Sequence, residues 1–448
     1  MPRIAACQGG DRRLRLSHPG YGSIAGILAA MLTWMLAAAL FAGSPEGQVV
    51  VERVKGAVFT IEVHSGASEA RDVLGSGYLV SPDGHVLTNY HVVGAYVGDP
   101  SRYQIRVKNG VGVHPARLVR FDLVNDLALL KIDPVDAEPL TLAQRTPQRG
   151  ESIVSLGNPE GLGLSLIEGV FNGHAEKGFV DRLLLSMPLN SGMSGGPILD
   201  GNGEVIGTNV AVIWLANSLS FGVPSDKART LLQGAMLKTD EESLRAEVTR
   251  QLQALARQTA ARVVRPYADA TDAGTVTVGD LEMRRPPDLF DCWTASEVFK
   301  DEGVTKARYG CNLQFSPSVE GLGEVGSVEL AVDEMTGRGS PYGFYGALAG
   351  TAEGRGSIEG RDPDNGVLSA PACTTDRVRA RHVTWQVNAC SSAFVKHPGL
   401  LNFDLVATTV SEPRRGAVLV LRARGLAVPG FLRLTRTALD SVQWKGTP

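Results

Sequence analysis

The chain has 448 residues, 44 Lys+Arg against 47 Asp+Glu for a formal net charge of −3, 43% hydrophobic residues and only 6% aromatic ones. At ~100–200 residues per domain this length holds two or three domains with ample core, and the near-neutral balance excludes bulk electrostatic binding to nucleic acid, which needs a concentrated basic face. With 52 glycines beside so few aromatics, short strands and many turns fit better than long helices, and a mainly β body is expected.

The N-terminus is basic (Arg3, Arg12, Arg13, Arg15) and leads into an uncharged apolar run over 24–42, which ends among the small residues Ala37, Ala39, Ala42 and Gly43. That is the pattern of an export signal. The run is also nearly long enough to span a bilayer uncleaved, so residues 1–45 are read as an export signal or a membrane anchor, with both outcomes open. In either case the arginines stay inside and the rest of the chain lies outside the cytoplasm, in a bacterial periplasm, the cell envelope or the exterior. The Arg12-Arg13 pair is only a weak twin-arginine hint.

Strands are expected over 49–54, 57–63, 77–80, 85–88, 103–108, 116–122, 127–132, 152–156, 183–186, 197–199, 205–212 and 220–223, with Ser81-Pro82-Asp83-Gly84 as a tight turn. So many short antiparallel strands suggest one or two closed barrels. Ser225 is expected to cap a helix running to about Met236, and Thr239 with Glu242 forms a capping-box pattern opening another. In that second helix Leu244, Val248, Leu252 and Leu255 share one face, which makes residues 233–266 a helical linker or strut.

Beyond Pro266 the composition shifts to glycine, threonine and valine. Strands are expected over 327–332, 382–387, 401–408 and 417–423, and 337–366 reads as long loops. Residues 267–448 are taken as one β-rich, sandwich-like domain of unknown role. It contains Cys292, Cys311, Cys373 and Cys390, whereas Cys7 precedes the apolar run. Four cysteines in an oxidising compartment read as up to two disulfides. Local pairing, Cys292 with Cys311 and Cys373 with Cys390, is the simplest of three connectivities.

Three segments carry candidate chemistry. The first joins Gly75-Ser76-Gly77-Tyr78-Leu79-Val80 to Val86-Leu87-Thr88-Asn89-Tyr90-His91-Val92-Val93. The second is Asn125-Asp126-Leu127-Ala128-Leu129-Leu130-Lys131-Ile132, and the third is Asn190-Ser191-Gly192-Met193-Ser194-Gly195-Gly196-Pro197. A hydroxyl is a poor nucleophile until an imidazole takes its proton, and the imidazole needs an acid to fix its tautomer and stabilise its cation. His91, Asp126 and Ser194 supply these groups. Gly192 allows a sharp turn, so that backbone amides of the Gly192-Met193-Ser194 stretch can converge on a developing oxyanion. The competitors are weaker. His85 sits on a turn, Asp122 does not immediately precede the apolar Leu-Ala-Leu-Leu strand, and Ser191 lacks the Gly-Gly exit.

These segments resemble the trypsin-like, chymotrypsin-fold serine peptidases, and most closely their HtrA/Deg-type branch, in the T-x-x-H-V histidine, D-x-A-L-L-K aspartate and S-G-G-P serine motifs. Ser155-Leu156-Gly157-Asn158-Pro159 and Phe221-Gly222-Val223-Pro224 are similar to that branch's supporting motifs. The resemblance covers about 49–232. It implies a double β-barrel peptidase domain over 46–232 that needs no cofactor, with His91 as general base, Asp126 as its orienting acid and Ser194 as nucleophile. Two departures stand out: Met193 replaces a small polar residue, and the region after the linker lacks a convincing PDZ match. The implied specificity pocket draws on Pro188, Leu189, Asn209, Val210 and Ala211, none of them charged, which favours small or aliphatic residues at the cleaved bond.

The eight histidines show no H-x-x-x-H pattern or cysteine pairing at zinc spacing, so no metal site is expected. The sequence thus points to an exported serine endopeptidase that cleaves proteins or peptides through an acyl-enzyme intermediate, in cell-envelope protein quality control or processing. Its C-terminal domain would recruit an envelope ligand, and membrane contact would be confined to an uncleaved N-terminal segment. An oligomer is compatible with the sequence, which does not specify one. The alternative is a catalytically dormant peptidase scaffold that acts as an envelope binding or adhesion protein through its C-terminal β domain.

Overall fold

The apolar runs of the first half close on themselves as two six-stranded barrels. A computed structural model describes residues 52–66, 71–110, 112–159, 162–210, 219–269, 274–301, 303–313, 316–356, 366–381 and 383–446. The expected export segment, with Cys7, and Ala211 lie outside the described residues.

The first barrel comprises β1 (Val58–Ser65), β2 (Arg71–Leu79), β3 (His85–Thr88), β4 (Tyr103–Lys108), β5 (Val113–Asp122) and β6 (Leu127–Lys131), in the order β1-β2-β3-β6-β5-β4. Ile61, Val63, Val86, Leu87, Leu127 and Leu130 fill it with no measurable exposure. That full burial removes the apolar area of each side chain from water, at ~25 cal/mol per Å². The second barrel comprises β7 (Ser152–Gly157), β8 (Ser165–His174), β9 (Leu183–Ser186), β10 (Pro197–Leu199), β11 (Val205–Val210) and β12 (Leu219–Pro224), in the order β10-β11-β12-β9-β8-β7. Phe171, Leu183, Leu185 and Ile198 form its centre.

Tertiary burial outweighs local propensity at several elements. Residues 52–54 are helical rather than extended and run into a 3-10 turn at Lys55–Ala57, because Val54 and Ala57, three apart, bury one helical face. Strand β8 was not anticipated, since most of its side chains are only partly covered and its sequence ends in Asn-Gly-His. Helix α1 (Tyr90–Gly98) was also missed. Its Val-Val-Gly-Ala-Tyr-Val run has poor helix propensity, yet Tyr90, Val93 and Val97 are packed against the first barrel.

Helix α2 (Ser225–Gln233) begins after Pro224, and the Ser225 hydroxyl donates to the Ala143 carbonyl instead of capping. In α3 (Glu241–Thr259) the cap is Asp240, which accepts the Ser243 N–H at 2.9 Å, rather than the expected Thr239. Leu244, Val248, Leu252 and Leu255 are all buried along one face of α3, as their spacing predicts.

The C-terminal region is β-rich. Strands β13 (Thr275–Val278) and β14 (Leu281–Arg284) pair with the final strand in a small three-stranded sheet. The main sheet has seven antiparallel strands: β15 (Phe290–Phe299), β16 (Val304–Leu313), β19 (Val328–Gly337), β20 (Ala372–Ala380), β21 (Val383–Ala393), β22 (Leu401–Glu412) and β23 (Arg415–Leu426). They are ordered β15-β16-β19-β23-β22-β21-β20. A hairpin of β17 (Ser318–Val319) and β18 (Gly323–Glu324) lies between β16 and β19 in the chain.

The covering layers that a sandwich would draw from a second large sheet come here from helices. On one face Phe344 and Leu348 of α4 (Pro341–Gly356) pack with Val418 and Val420. On the other, α5 (Val428–Ser441) stacks Phe431 on Phe403 with ring centroids 4.1 Å apart, over the side that holds Leu419 and Leu421. Helix α4 falls within 337–366, expected as loops, because burial of Phe344 and Leu348 overrides the helix cost of its glycines. Cys292 is bonded to Cys311, directly opposite across β15–β16, and Cys373 to Cys390 across β20–β21. Each bridge thus ties an edge strand, the element most prone to fray, to its inner neighbour.

Candidate active site

His91 is the second residue of α1, one turn after β3 leaves the first barrel. Asp126 sits in the connection between β5 and β6 with φ 62°, a left-handed conformation that Asp tolerates better than most residues. Two contacts hold that backbone. Asn89 donates its Nδ2–H to the Asp126 carbonyl at 2.8 Å, and Asp122 accepts from the Asn125 N–H at 3.0 Å and from its side-chain amide at 2.7 Å. Asp122 is therefore the cap of the turn that presents Asp126.

Asp126 takes hold of His91 twice. One carboxylate oxygen accepts the His91 backbone N–H at 2.9 Å, and the other lies 2.8 Å from ring Nδ1. Nδ1 therefore carries the proton toward Asp126 and Nε2 is left as the basic nitrogen. Burial alone would lower the imidazole pKa, but the charge and hydrogen bond of Asp126 raise it above the ordinary histidine value, with a further contribution from the Glu320 carboxylate. The His91 side chain retains 40% exposure against 17% for Asp126, so the base is reachable and its partner is covered. Close to these acids, burial lowers the pKa of the Arg182 guanidinium, and the Asp126 and Asp122 charges oppose that effect. His85 bonds Ser81 across its turn at 2.8 Å, away from this pair.

Ser194 lies on a turn whose carbonyls are tied down. Gly192 has φ 89° and the Met193 N–H donates to the Asn190 carbonyl at 3.1 Å, which defines a type II turn over 190–193. The Gly192 carbonyl accepts the Ser76 hydroxyl at 2.7 Å, and the Ser194 carbonyl accepts the Ser76 N–H at 2.7 Å. The Met193 carbonyl accepts from Gly196 N–H at 3.0 Å and from Asn209 Nδ2 at 3.3 Å. Among the described residues the buried Gly192 N–H has no acceptor. The Met193 amide, by contrast, is spent inside the turn, and its side chain is fully buried. Gly195 (φ 85°) admits no side chain: a Cβ there would collide with the Ser76 carbonyl and the Thr88 hydroxyl, and would lie 3.0 Å from the Asn89 N. The serine turn is thus packed directly against the junction from which α1 carries His91.

The expected pocket residues separate. Pro188 is exposed and Leu189 is half-buried against the second-barrel core. Val210 is buried. Asn209 is an inner strut, fully buried, with Nδ2 2.6 Å from Ser155 Oγ. Three supports were not assigned from sequence. Ser76 and Asn89 stood inside quoted motifs but without roles. Gln251 of α3 accepts the Leu123 N–H at 2.8 Å and donates to the Phe121 carbonyl at 2.9 Å, gripping the acid-bearing loop from behind. Among the described residues there is no cluster of three or more metal-ligating side chains, and no helix long and apolar enough to cross a membrane.

Two closed six-stranded barrels with a His–Asp pair and a glycine-flanked serine define a trypsin-like peptidase domain, and residues 75–207 match the family described as "Trypsin-like peptidase domain". Within that class the domain is of the HtrA type. It is 34% identical over 197 residues to "Serine protease HTRA1A" of Danio rerio, covering 41% of this chain and 40% of that protein. It is 32% identical over 169 residues to "Probable periplasmic serine endoprotease DegP-like" of Chlamydia trachomatis, covering 36% and 33%. The solved "serine endoprotease from Yersinia pestis" aligns with a TM-score of 0.38 at 29% identity, over 43% of this chain and 66% of that one. The chain spans about two fifths of the length of the first of these relatives.

Proposed function

We propose that this protein is an exported serine endopeptidase acting on protein or peptide substrates through a Ser194-His91-Asp126 triad. The observation that carries the reading is the double grip of Asp126 on His91 beside a serine turn held through the carbonyls of Asn190, Gly192, Met193 and Ser194. In the acylation step His91 Nε2 takes the Ser194 hydroxyl proton as Oγ attacks the scissile carbonyl, and Asp126 stabilises the imidazolium. The amides of Gly192 and Ser194 stabilise the oxyanion. His91 then passes the proton to the leaving amine, and in the second half it activates the water that releases the acyl group.

Placement outside the cytoplasm rests on the two disulfides, which persist in oxidising compartments, on the basic-then-apolar N-terminus, and on relatives that include a protein named as a periplasmic endoprotease. Pro188, Leu189 and Val210 carry no charge, which favours small or aliphatic side chains at the acyl-side residue. The C-terminal sheet would recruit an envelope ligand.

A fluorophosphonate probe tests the reading. Covalent label on the wild-type chain, lost in Ser194→Ala with an unchanged fold, is expected. Absence of label on the folded wild-type chain would favour the dormant scaffold.

A further inference from the structure

The hairpin of β17 and β18 reaches the peptidase domain. Its two strands pair Ser318 with Glu324 and Val319 with Gly323, and its tip closes with the Leu322 N–H on the Val319 carbonyl at 2.9 Å. Val319 is buried where the tip begins and Val325 at the base, the Gly326 N–H donates to the Arg424 carbonyl at 2.8 Å, and Gly326 packs on Leu255 of α3. A short hairpin anchored this way is held rigidly. Its tip residue Glu320 lies against α1: a Cβ placed on Gly94 would lie 2.8 Å from the Glu320 Cβ, so the approach depends on glycine at 94.

Gly94 is three positions after His91, on the same face of the helix and about one turn along it. The Glu320 carboxylate is exposed and, among the described residues, makes no ion pair or side-chain hydrogen bond. Helix α1 carries no Lys or Arg to offer it. Its charge nevertheless reaches His91.

We propose that Glu320 is a specificity residue of the peptidase cleft, receiving a Lys or Arg side chain of the substrate a few residues beyond the scissile bond. The side follows from the pocket proposed above. The acyl part of the substrate belongs over the second barrel at Pro188 and Leu189, and His91 hands its proton to the leaving amine. The chain beyond that amine therefore runs over the first barrel, along the face of α1 that Glu320 borders. The C-terminal region thus contributes directly to substrate choice, a role that rests on the serine-peptidase reading above. An exposed carboxylate meeting a substrate cation is worth up to about fivefold in affinity.

Binding to the Ser194→Ala full-length chain tests this without turnover. The probes are three fluorescent decapeptides with Val before the scissile bond and Lys, Ala or Glu at the second and third residues after it. The Lys peptide is expected to bind about three- to fivefold tighter than the Ala peptide, and the Glu peptide more weakly. Adding Glu320→Gln should level the three, and Glu320→Lys should reverse their order. A wild-type order without lysine preference, or an order unchanged by both substitutions, would overturn the proposal. Fluorophosphonate labelling of the chain with Ser194 and Glu320 both intact separates the two readings. Label with an unchanged peptide order sinks the Glu320 assignment alone, whereas a Glu320-dependent order without label supports it and sinks the hydrolytic one.

Discussion

Asp126 accepts the backbone N–H of His91 through one carboxylate oxygen and faces its ring Nδ1 through the other, so a single side chain sets both where the helix starts and which tautomer the imidazole adopts. Asp126→Asn preserves a left-handed backbone, which Asn also tolerates, but replaces the oxygen-only acceptor that fixes the tautomer. A fall in kcat of about 10⁴ is expected, read by steady-state hydrolysis of a peptide substrate.

The same pair sets the pH profile. Activity needs neutral His91, whose pKa is raised by Asp126, so kcat/KM should rise with pH through a value above about 6.5. In Asp126→Asn the residual activity should rise at lower pH. The stability contributed by the pair has the opposite sense: it is complete below about pH 6.5 and lost as pH rises through the folded value. Denaturant unfolding at several pH values checks this, and a profile unmoved by the substitution would count against the pairing.

Ser76→Ala removes the hydroxyl that donates to the Gly192 carbonyl and accepts from the Asn158 N–H at 2.9 Å. Two buried partners lose their bond, which costs about 1–3 kcal/mol. Because one of them orients the serine turn, probe labelling should slow more than the melting temperature falls. Equal losses in both would mean that Ser76 is only structural.

Gln251→Ala leaves the Leu123 N–H and Phe121 carbonyl without their partner behind the acid loop. Destabilisation of about 1–3 kcal/mol is expected, together with a lower kcat, since Asp126 lies three residues beyond Leu123. Gln251→Glu keeps an acceptor for Leu123 but turns an oxygen toward the Phe121 carbonyl and the Glu247 carboxylate, so it should not recover either loss, as read by urea titration and peptide hydrolysis.

Reduction of the two bridges should loosen the sheet edges and leave the barrels intact. The cysteines are 19 and 17 positions apart, and closing a loop of that size is worth about 3 kcal/mol. Amide exchange in a reducing agent should quicken in β15 and β20, while β1, β3 and β6 stay protected. Uniform quickening would contradict this independence.

The barrels were legible because their strands are short apolar runs bounded by Gly, Pro and Asp, and the His91–Asp126 pair because each member sits in a contiguous motif. Leu244, Val248, Leu252 and Leu255 declared the linker's buried face by spacing alone. Helices α1 and α4 were not legible. Their local propensities point to loops or strands, and only burial of Tyr90, Val93, Phe344 and Leu348 makes them helical.

By itself the sequence determined the pattern: that a serine, a histidine and an aspartate stand in the order of a trypsin-like peptidase, and that four cysteines share one region. The tertiary structure alone decided what surrounds that chemistry. Ser76 gripping the serine turn, Gln251 holding the acid loop and Glu320 bordering the histidine helix are contacts between residues far apart in the chain. Their side chains carry no local pattern, and their partners exist only once the barrels and the C-terminal sheet have packed around α3.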